Sequence, residues 1–228
     1  MTTRRANPNT ESVDNYLKAI FTLGGSEEER VTSTALAERL GVAPASITNM
    51  LQKLAAPPSP LVEYKSRHGV RLSAAGRRRA LEIVRHHRLL EAFLYEVLDY
   101  PIEEVHDEAE RLEHFISERF EERIDAKLAR PKFDPHGHCI PALDGKMSKQ
   151  LSKPLTDIDG EGKFVVDSVS DQDAALLKRF KAHGITPGAR LEVTGAPKEK
   201  LIIRAGTTVE ALHLPRSLAG AVRIRCTK

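Results

Sequence analysis

Two imidazoles and two carboxylates lie within nine residues of the sequence, at His106, Glu110, Glu113 and His114. If this stretch is an α-helix, residues three and four apart share a face, so all four side chains project to one side. Nitrogen and oxygen donors grouped in this way are suited to a divalent metal ion. The stretch therefore predicts a metal site.

A second pair of donors with helical spacing lies upstream, at His87 and Glu91. If the two helices pack side by side, all six donors converge in a site between helices. A solvated helix face has the same Glu- and Arg-rich composition, and this interpretation stays open beside the metal site. The repeated His and Glu spacing favours the metal.

The elements that must position these donors follow a predicted winged helix-turn-helix. Residues 13–23 have the pattern of an amphipathic helix. Two further short helices are predicted, the second over 43–54, with a tight turn at Gly41 between them. Two strands, 61–64 and 70–72, flank a basic tip and predict a β-hairpin directly after the second short helix.

The second short helix is predicted to enter the DNA major groove, and the hairpin tip to reach the phosphate backbone. An ordinary surface turn is the alternative for the hairpin. The candidate DNA-binding residues are Pro44, Ala45, Ser46, Thr48, Asn49, Gln52 and Lys53 on the helix, and Lys65, Arg67 and His68 at the tip.

The distribution of charge agrees with a DNA-binding part joined to a cation-binding part. Residues 1–80 hold 12 Lys and Arg against 7 Asp and Glu, whereas residues 82–125 hold 5 Arg against 14 Asp and Glu. The first segment is suited to a polyanion and the second to cations.

Composition excludes several classes of protein. No apolar signal segment begins the chain, and no apolar run approaches the length of about 18 residues that a membrane helix needs. Two cysteines provide no disulfide framework. We therefore expect a cytoplasmic protein with no membrane partner.

The 228 residues are enough for two or three small domains. A long helix is predicted over 74–98 and another over 102–128, and later short strands with one helix predict an SH3-like barrel. The expected fold is mainly α with small β parts. The expected domains are a winged helix-turn-helix at 1–75, a helical metal-binding and dimerisation domain at 76–143, a linker at 144–154 and an SH3-like domain at 155–228.

The order of these parts resembles the diphtheria toxin repressor and manganese transport regulator family. The resemblance runs from about residue 12 to the C-terminus, and its most specific part is Arg88-Leu89 followed by the 106–114 stretch. It implies a homodimeric repressor that binds operator DNA of metal-uptake genes when a divalent metal activates it. It implies one metal site at His87, Glu91 and His106, and another at Glu110, Glu113 and His114 with a residue of the first helix.

Three positions depart from the patterns of this family. Glu110 stands where iron-type members have Cys, Asn15 where members have Met or Asp, and Lys18 where manganese-type members have Glu. Carboxylates without a thiolate favour Mn²⁺ as the cofactor, with Fe²⁺ as the alternative. Asn15 can still offer a carbonyl oxygen, charged Lys18 cannot ligate, and Asp14 is a possible substitute.

The resemblance also implies ligands outside these helices. His136, His138 and Cys139 lie in a Pro- and Gly-containing segment that can be a metal loop or a connecting turn, and Asp134 and His136 match ligands of some manganese-type relatives. Ser168 and Asp171 match ligands that the C-terminal domain of iron-type relatives supplies. Asp171 is otherwise expected to be the N-cap of a helix over 171–182.

Two other functions stay open at this point. Glu110-x-x-Glu113-His114 is one residue away from the His-x-x-Glu-His pattern of a metallohydrolase, but no nucleophile motif or Gly-rich phosphate loop accompanies it. The other alternative is a metal-independent, architectural DNA-binding protein whose His and Glu residues are structural. Metal dependence of DNA binding distinguishes the three functions.

Overall fold

The computed structural model describes residues 8–24, 28–148, 150–205 and 211–226. The chain forms two compact units. Unit 1 comprises Met1–His87, Leu112–Glu121 and Pro141–Lys146, and unit 2 comprises Arg88–Arg111, Glu122–Ile140 and Met147–Lys228. Among the described residues, no helix combines the length and the apolar character needed to cross a membrane.

Unit 1 begins with the predicted winged helix-turn-helix, which the structure confirms. The Thr32 side chain accepts a hydrogen bond from Ala35 N at 3.1 Å and caps the second helix, and Gly41, at φ 63°, ends it. Leu36, Ile47 and Leu51 are fully buried in the core between the helices. The elements are α1 (Pro8–Leu23), α2 (Ser33–Leu40), α3 (Pro44–Leu54), β1 (Val62–Lys65) and β2 (Gly69–Leu72).

The wing is an antiparallel hairpin in which Val62 pairs with Leu72 and Lys65 pairs with Gly69. Gly69 has φ 85°, and a Cβ there would lie 2.5 Å from the Val31 carbonyl oxygen. Only glycine meets both conditions without strain. Val31 and Val70 exchange two backbone hydrogen bonds of 2.8 and 2.9 Å, which attach the wing to the segment before α2.

The helices after the wing confirm one prediction and contradict another. Helix α4 spans Ala74–Leu98, as predicted, but the single helix expected over 102–128 is wrong. Two helices, α5 (Val105–Leu112) and α6 (Glu118–Lys127), are separated by a turn. The Ser117 side chain accepts a hydrogen bond from Phe120 N at 3.3 Å, so it caps a new helix at this point. Glu113 and His114 therefore lie in the turn, outside the helical face that carries His106 and Glu110.

Unit 2 contains a six-stranded antiparallel sheet with the order β3-β8-β4-β5-β6-β7. Register shifts between Val166 and Ser168 and between Val193 and Gly195 interrupt its regular pairing, as bulges in curved sheets do. The strands are β3 (Lys153–Pro154), β4 (Gly162–Val169), β5 (Arg190–Gly195), β6 (Lys200–Ala205), β7 (Leu212–Pro215) and β8 (Val222–Cys226).

Two helices accompany this sheet, α7 (Ala174–Ala182) and the short α8 (Arg216–Ala219). The expected N-cap at Asp171 is wrong, because Asp173 caps α7 by accepting a hydrogen bond from Leu176 N at 3.0 Å. Asp171 is thereby available for another role. Strands β3 and β7 and helix α8 were not predicted, since they are too short to show a hydrophobic period.

Candidate metal clusters and DNA-binding surface

A tight loop in unit 2 presents two histidines. Asp134 Oδ1 accepts hydrogen bonds from the backbone nitrogens of His136 and His138, each at 2.9 Å, and so shapes the loop. Gly137 has φ 88°, and a Cβ there would lie 2.2 Å from the Asp167 carbonyl oxygen. A hydrogen bond from Val169 N to the His136 carbonyl oxygen, 2.9 Å long, joins the loop to the end of β4.

Three carboxylates and three imidazoles of unit 2 form a ring in which the two kinds of group alternate. Glu91 Oε1 lies 3.6 Å from His136 Nδ1 and 3.3 Å from His106 Nδ1. Asp171 Oδ2 lies 3.6 Å from His106 Nδ1 on one side of the ring. We call this group the unit 2 ring, and its members are Glu91, His106, Asp134, His136, His138 and Asp171.

His138 connects the remaining carboxylates of the unit 2 ring. Its Nδ1 lies 3.7 Å from Asp171 Oδ2 and 3.4 Å from Asp134 Oδ2. One donor atom from each of Asp134, His136 and His138 falls within 4.8 Å of the other two, which closes the ring. Six nitrogen and oxygen donors thus surround one small region.

The donor atoms of the unit 2 ring fit a divalent cation. Asp134 Oδ2, His136 Nδ1 and His138 Nδ1 are buried and have no hydrogen-bond partner within the described part of the chain. A buried polar atom without a hydrogen bond costs about 1–3 kcal/mol, so a cation bound among these three atoms would be stabilising. Imidazole nitrogen and carboxylate oxygen are donors that Mn²⁺ and Fe²⁺ accept.

The carboxylates also set the protonation of the imidazoles. Burial opposes the charged form of His136, but the neighbouring Glu91, with help from Asp134 and Asp171, raises the pKa of His136 to about 9. Burial also opposes the charge on Asp171, but the His138 and His106 rings hold the pKa of this carboxyl below its usual range. The carboxylates therefore favour the protonated forms of His136 and His138, and a bound metal ion must displace these protons.

A second group of ligand-type residues surrounds Glu113 in unit 1. The Glu113 side chain is fully buried, and its Oε1 accepts a hydrogen bond of 2.6 Å from Lys18 Nζ. Its Oε2 lies 2.6 Å from His87 Nδ1, and its Oε1 lies 3.4 Å from His114 Nε2. His114 Nε2 is also 2.8 Å from Asn15 Oδ1. We call these five residues the unit 1 cluster.

Charge within the unit 1 cluster stabilises the ionised form of Glu113. Burial alone would raise its pKa, but the hydrogen bond with His87 and the positive charge of Lys18 lower the pKa below its usual range. His114 Nδ1 is buried without a hydrogen-bond partner among the described residues and lies 3.9 Å from Asp14 Oδ2.

A buried polar network supports the turn that carries Glu113. Arg85 donates hydrogen bonds to the Glu121 carboxylate and, at 2.8 Å, to the Pro141 carbonyl oxygen. His86 lies between the Glu113 backbone carbonyl oxygen at 3.3 Å and Glu121 Oε2 at 3.1 Å. Removing one partner from such a buried network leaves an uncompensated charge, so these residues act as positioning groups.

The structure adds a contact to one predicted ligand. His87, which the sequence groups with Glu91 and His106, lies in unit 1 with its Nδ1 2.6 Å from Glu113 Oε2. In unit 2, Glu110 Oε1 lies 3.9 Å from His106 Nε2. Ser168 is buried in β4, with 1% of its surface exposed.

Two residues near the unit 2 ring were not among the candidate ligands. His138 belongs to the ring, and it lies in the segment that the sequence offers as a possible metal loop. Gln172 Nε2 lies 3.4 Å from His106 Nε2. No motif in the sequence distinguishes Gln172 from other surface glutamines.

The candidate DNA-binding residues lie on α3 and at the tip of the wing hairpin. On α3, Ser46, Asn49 and Gln52 are exposed with the rest of the predicted set, and Thr48 is half-buried, its hydroxyl donating to the Pro44 carbonyl oxygen at 3.2 Å. The tip residues Lys65, Arg67 and His68 are exposed. The polar face of α3 and the basic tip are thus available to a duplex.

Three known domains match nearly the whole chain. The N-terminal DNA-binding domain of the iron dependent repressors matches residues 9–70, and their metal binding and dimerisation domain matches residues 73–142. A FeoA domain matches residues 153–226. This set of domains, with the two groups of ligand-type residues, defines a metal-dependent, DNA-binding transcriptional repressor.

Individual proteins with sequences or structures similar to this chain are also metal-dependent repressors. The chain is 31% identical to the iron-dependent repressor IdeR of Mycobacterium leprae and 32% identical to the diphtheria toxin repressor of Corynebacterium jeikeium, in each case over 94% of this chain and 96% of the relative. A solved manganese-dependent transcriptional repressor in complex with manganese is similar with a TM-score of 0.87 and 35% identity, over 94% of this chain and all of that one.

The chain therefore belongs to the iron-dependent repressor family, the family of the diphtheria toxin repressor. Members of this family are DNA-binding repressors and not enzymes, so the metallohydrolase alternative is wrong. The fold class is confirmed as mainly helical N-terminal domains followed by an SH3-like sheet domain. The DNA-binding and dimerisation domains bear out operator DNA and a homodimer as partners.

Proposed function

We propose that this repressor is a cytoplasmic protein that is activated by Mn²⁺ and controls metal-uptake genes. The observation that carries the proposal is the unit 2 ring, in which buried donors of Asp134, His136 and His138 face one another without hydrogen bonds. The bound ion would supply the positive charge and the coordination bonds that hold these donors together. The chain is then a sensor whose metal occupancy decides its affinity for DNA.

The donor chemistry supports manganese over softer metals. The two groups of ligand-type residues offer imidazole nitrogens and oxygens and no thiolate, and Cys139, the cysteine next to His138, points its Sγ to the Ile140 carbonyl oxygen at 3.8 Å. Hard oxygen donors suit Mn²⁺, although affinity order alone does not select it. One similar structure is a manganese-dependent repressor in complex with manganese, whereas the relative from Mycobacterium leprae is an iron-dependent repressor. Fe²⁺ is therefore the alternative activator.

We assign the metal ligands to the two groups of residues. The unit 2 ring would hold an ion through Glu91, His106, Asp134, His136 and Asp171, with His138 as an additional ligand. The unit 1 cluster would hold an ion through Asn15, Glu113 and His114, with His87 beside them. Because a bound metal ion must displace protons from His136 and His138, metal binding becomes weaker as the pH falls.

The proposed repressor has the domain limits predicted from sequence, at residues 75, 143 and 154. Metal binding in the helical domain would fix the two winged domains of a homodimer at a spacing that matches two operator half-sites. Exposed polar residues of α3, among them Asn49, would read base edges, and Lys65, Arg67 and His68 would contact phosphates.

Mn²⁺ binding to the full chain tests the assignment of the unit 2 ring. Free Mn²⁺ is measured by electron paramagnetic resonance during titration of wild type, His136→Gln and, as a control, His213→Gln, whose imidazole is exposed beside Lys200. We expect His136→Gln to bind Mn²⁺ in this ring at least about tenfold more weakly, and the control to match wild type. Equal binding by wild type and His136→Gln, or no Mn²⁺ bound by wild type, would contradict the assignment.

A further inference from the structure

Lys18 of α1 places a positive charge on a buried carboxylate that the proposed function counts as a metal ligand. Its Nζ lies 2.6 Å from Glu113 Oε1, and 12% of the Lys18 side chain and none of the Glu113 side chain is exposed. The second carboxylate oxygen, Oε2, is 2.6 Å from His87 Nδ1. Both oxygens of Glu113 therefore have cationic or hydrogen-bonding partners supplied by the chain.

Lys18 compensates the negative charge of the buried Glu113 carboxylate. An ionised carboxylate removed from water is destabilising unless a positive charge and hydrogen bonds compensate it. A compact ammonium group on a flexible stem can supply both from a neighbouring helix. The Lys18–Glu113 pair thus joins α1 to the turn after α5 with no metal present.

An ammonium group and a metal ion cannot occupy the same position beside one carboxylate oxygen. Hard divalent ions bind carboxylate oxygen at about 2.0–2.6 Å, and the ammonium nitrogen already lies 2.6 Å from Oε1. Two cations that both contact one carboxylate oxygen also repel each other strongly in a poorly solvated site. An ion binding at Glu113 Oε1 therefore competes with the positive charge of Lys18.

We propose that Lys18 is a resident cation that competes with the divalent metal for Glu113 and so sets the metal concentration at which the unit 1 cluster fills. This inference rests on the proposed function, because it requires that the cluster bind metal at all. It makes Lys18 a residue that determines metal affinity through its charge without being a ligand. A merely structural ion pair would contribute to stability and leave metal affinity unchanged.

The test compares Mn²⁺ binding by the full chain in four forms. They are wild type, Lys18→Met, which keeps the apolar stem and removes the charge, Lys18→Arg, which keeps the charge, and the control Lys163→Met. Lys163 is an exposed lysine of β4, 3.8 Å from Glu192. Each form is titrated with Mn²⁺ under electron paramagnetic resonance detection, and its melting temperature is measured with and without the metal. Lys18→Gln provides the same comparison if the Met variant does not fold without metal.

The expected result is that Lys18→Met binds Mn²⁺ at the unit 1 cluster at least about tenfold more tightly than wild type. Without metal its melting temperature should fall, because Glu113 loses its compensating charge, and Mn²⁺ should raise it by more than it raises wild type. Lys18→Arg and Lys163→Met should bind as wild type does. If Lys18→Met binds Mn²⁺ no more tightly than wild type, Lys18 is a structural ion pair and the inference is wrong. If no form binds Mn²⁺, the proposed function itself fails.

Discussion

At the scale of single residues, the choice of metal depends on the type of donor atom. Glu110 is half-buried on α5, and its Oε1 lies 3.9 Å from His106 Nε2. The family resemblance matches its position to a cysteine of iron-type members, and a thiolate is a softer donor than a carboxylate. One side chain thus offers a direct way to change metal preference.

We predict that Glu110→Cys shifts activation away from Mn²⁺ and towards Fe²⁺ or Co²⁺. The measurement is metal-titrated operator binding, under anaerobic conditions for Fe²⁺. Glu108→Cys is a matched control, because Glu108 lies on the same helix and pairs with Arg111 at 3.1 Å. An unchanged ratio of Mn²⁺ to Fe²⁺ activation would show that Glu110 does not set the preference.

Residue types and spacing identified most candidate ligands but not all of their partners. His87 and Glu91 have the spacing of one helical face, but that spacing does not show that His87 also contacts Glu113, a residue 26 positions later. Spacing along one helix cannot show which residues of other elements approach it. Gln172 was unpredictable for the same reason, since only the fold brings it to His106.

At the scale of elements, α3 and the wing have different tasks at DNA. The exposed amide of Asn49 is suited to base edges, where a good pair of hydrogen bonds discriminates against a wrong base by about 1–3 kcal/mol. Lys65 is exposed at the end of β1, where its ammonium can reach phosphates. Phosphate contacts contribute affinity for every sequence.

Asn49→Ala should therefore relax sequence preference, whereas Lys65→Ala should weaken binding to all duplexes alike. For Lys65→Ala, the slope of log affinity against log salt concentration should fall by about one. Fluorescence anisotropy with the operator and with a scrambled duplex at several salt concentrations measures both effects, and Lys163→Ala is the control. The same pattern in both variants would count against α3 as the recognition helix.

Long elements were predictable from sequence and short or interrupted ones were not. Helix α4 has the predicted bounds, because a clear apolar period extends over 25 residues. The break between α5 and α6 was missed because a serine can lie within a helix or cap a new one, and the residue type of Ser117 does not distinguish the two. The predicted N-cap of α7 was two residues too early, because Asp171 and Asp173 are equally suitable N-cap residues by type.

At the scale of the whole molecule, metal must be linked to DNA binding. The family supplies a DNA-binding domain and a metal binding and dimerisation domain, and their order was predictable from the basic and acidic segments of the chain. If metal binding raises operator affinity by a given factor, operator binding must raise metal affinity by the same factor. A metal-independent architectural protein would show no such linkage.

The most direct test is operator affinity with and without Mn²⁺. An operator is first selected from a pool of random duplexes in the presence of Mn²⁺, and its dissociation constant is then measured by anisotropy in Mn²⁺ and in chelator. We predict affinity about 10- to 100-fold higher with Mn²⁺, and loss of this gain in His136→Gln. The same affinity for this operator in Mn²⁺ and in chelator would contradict the account.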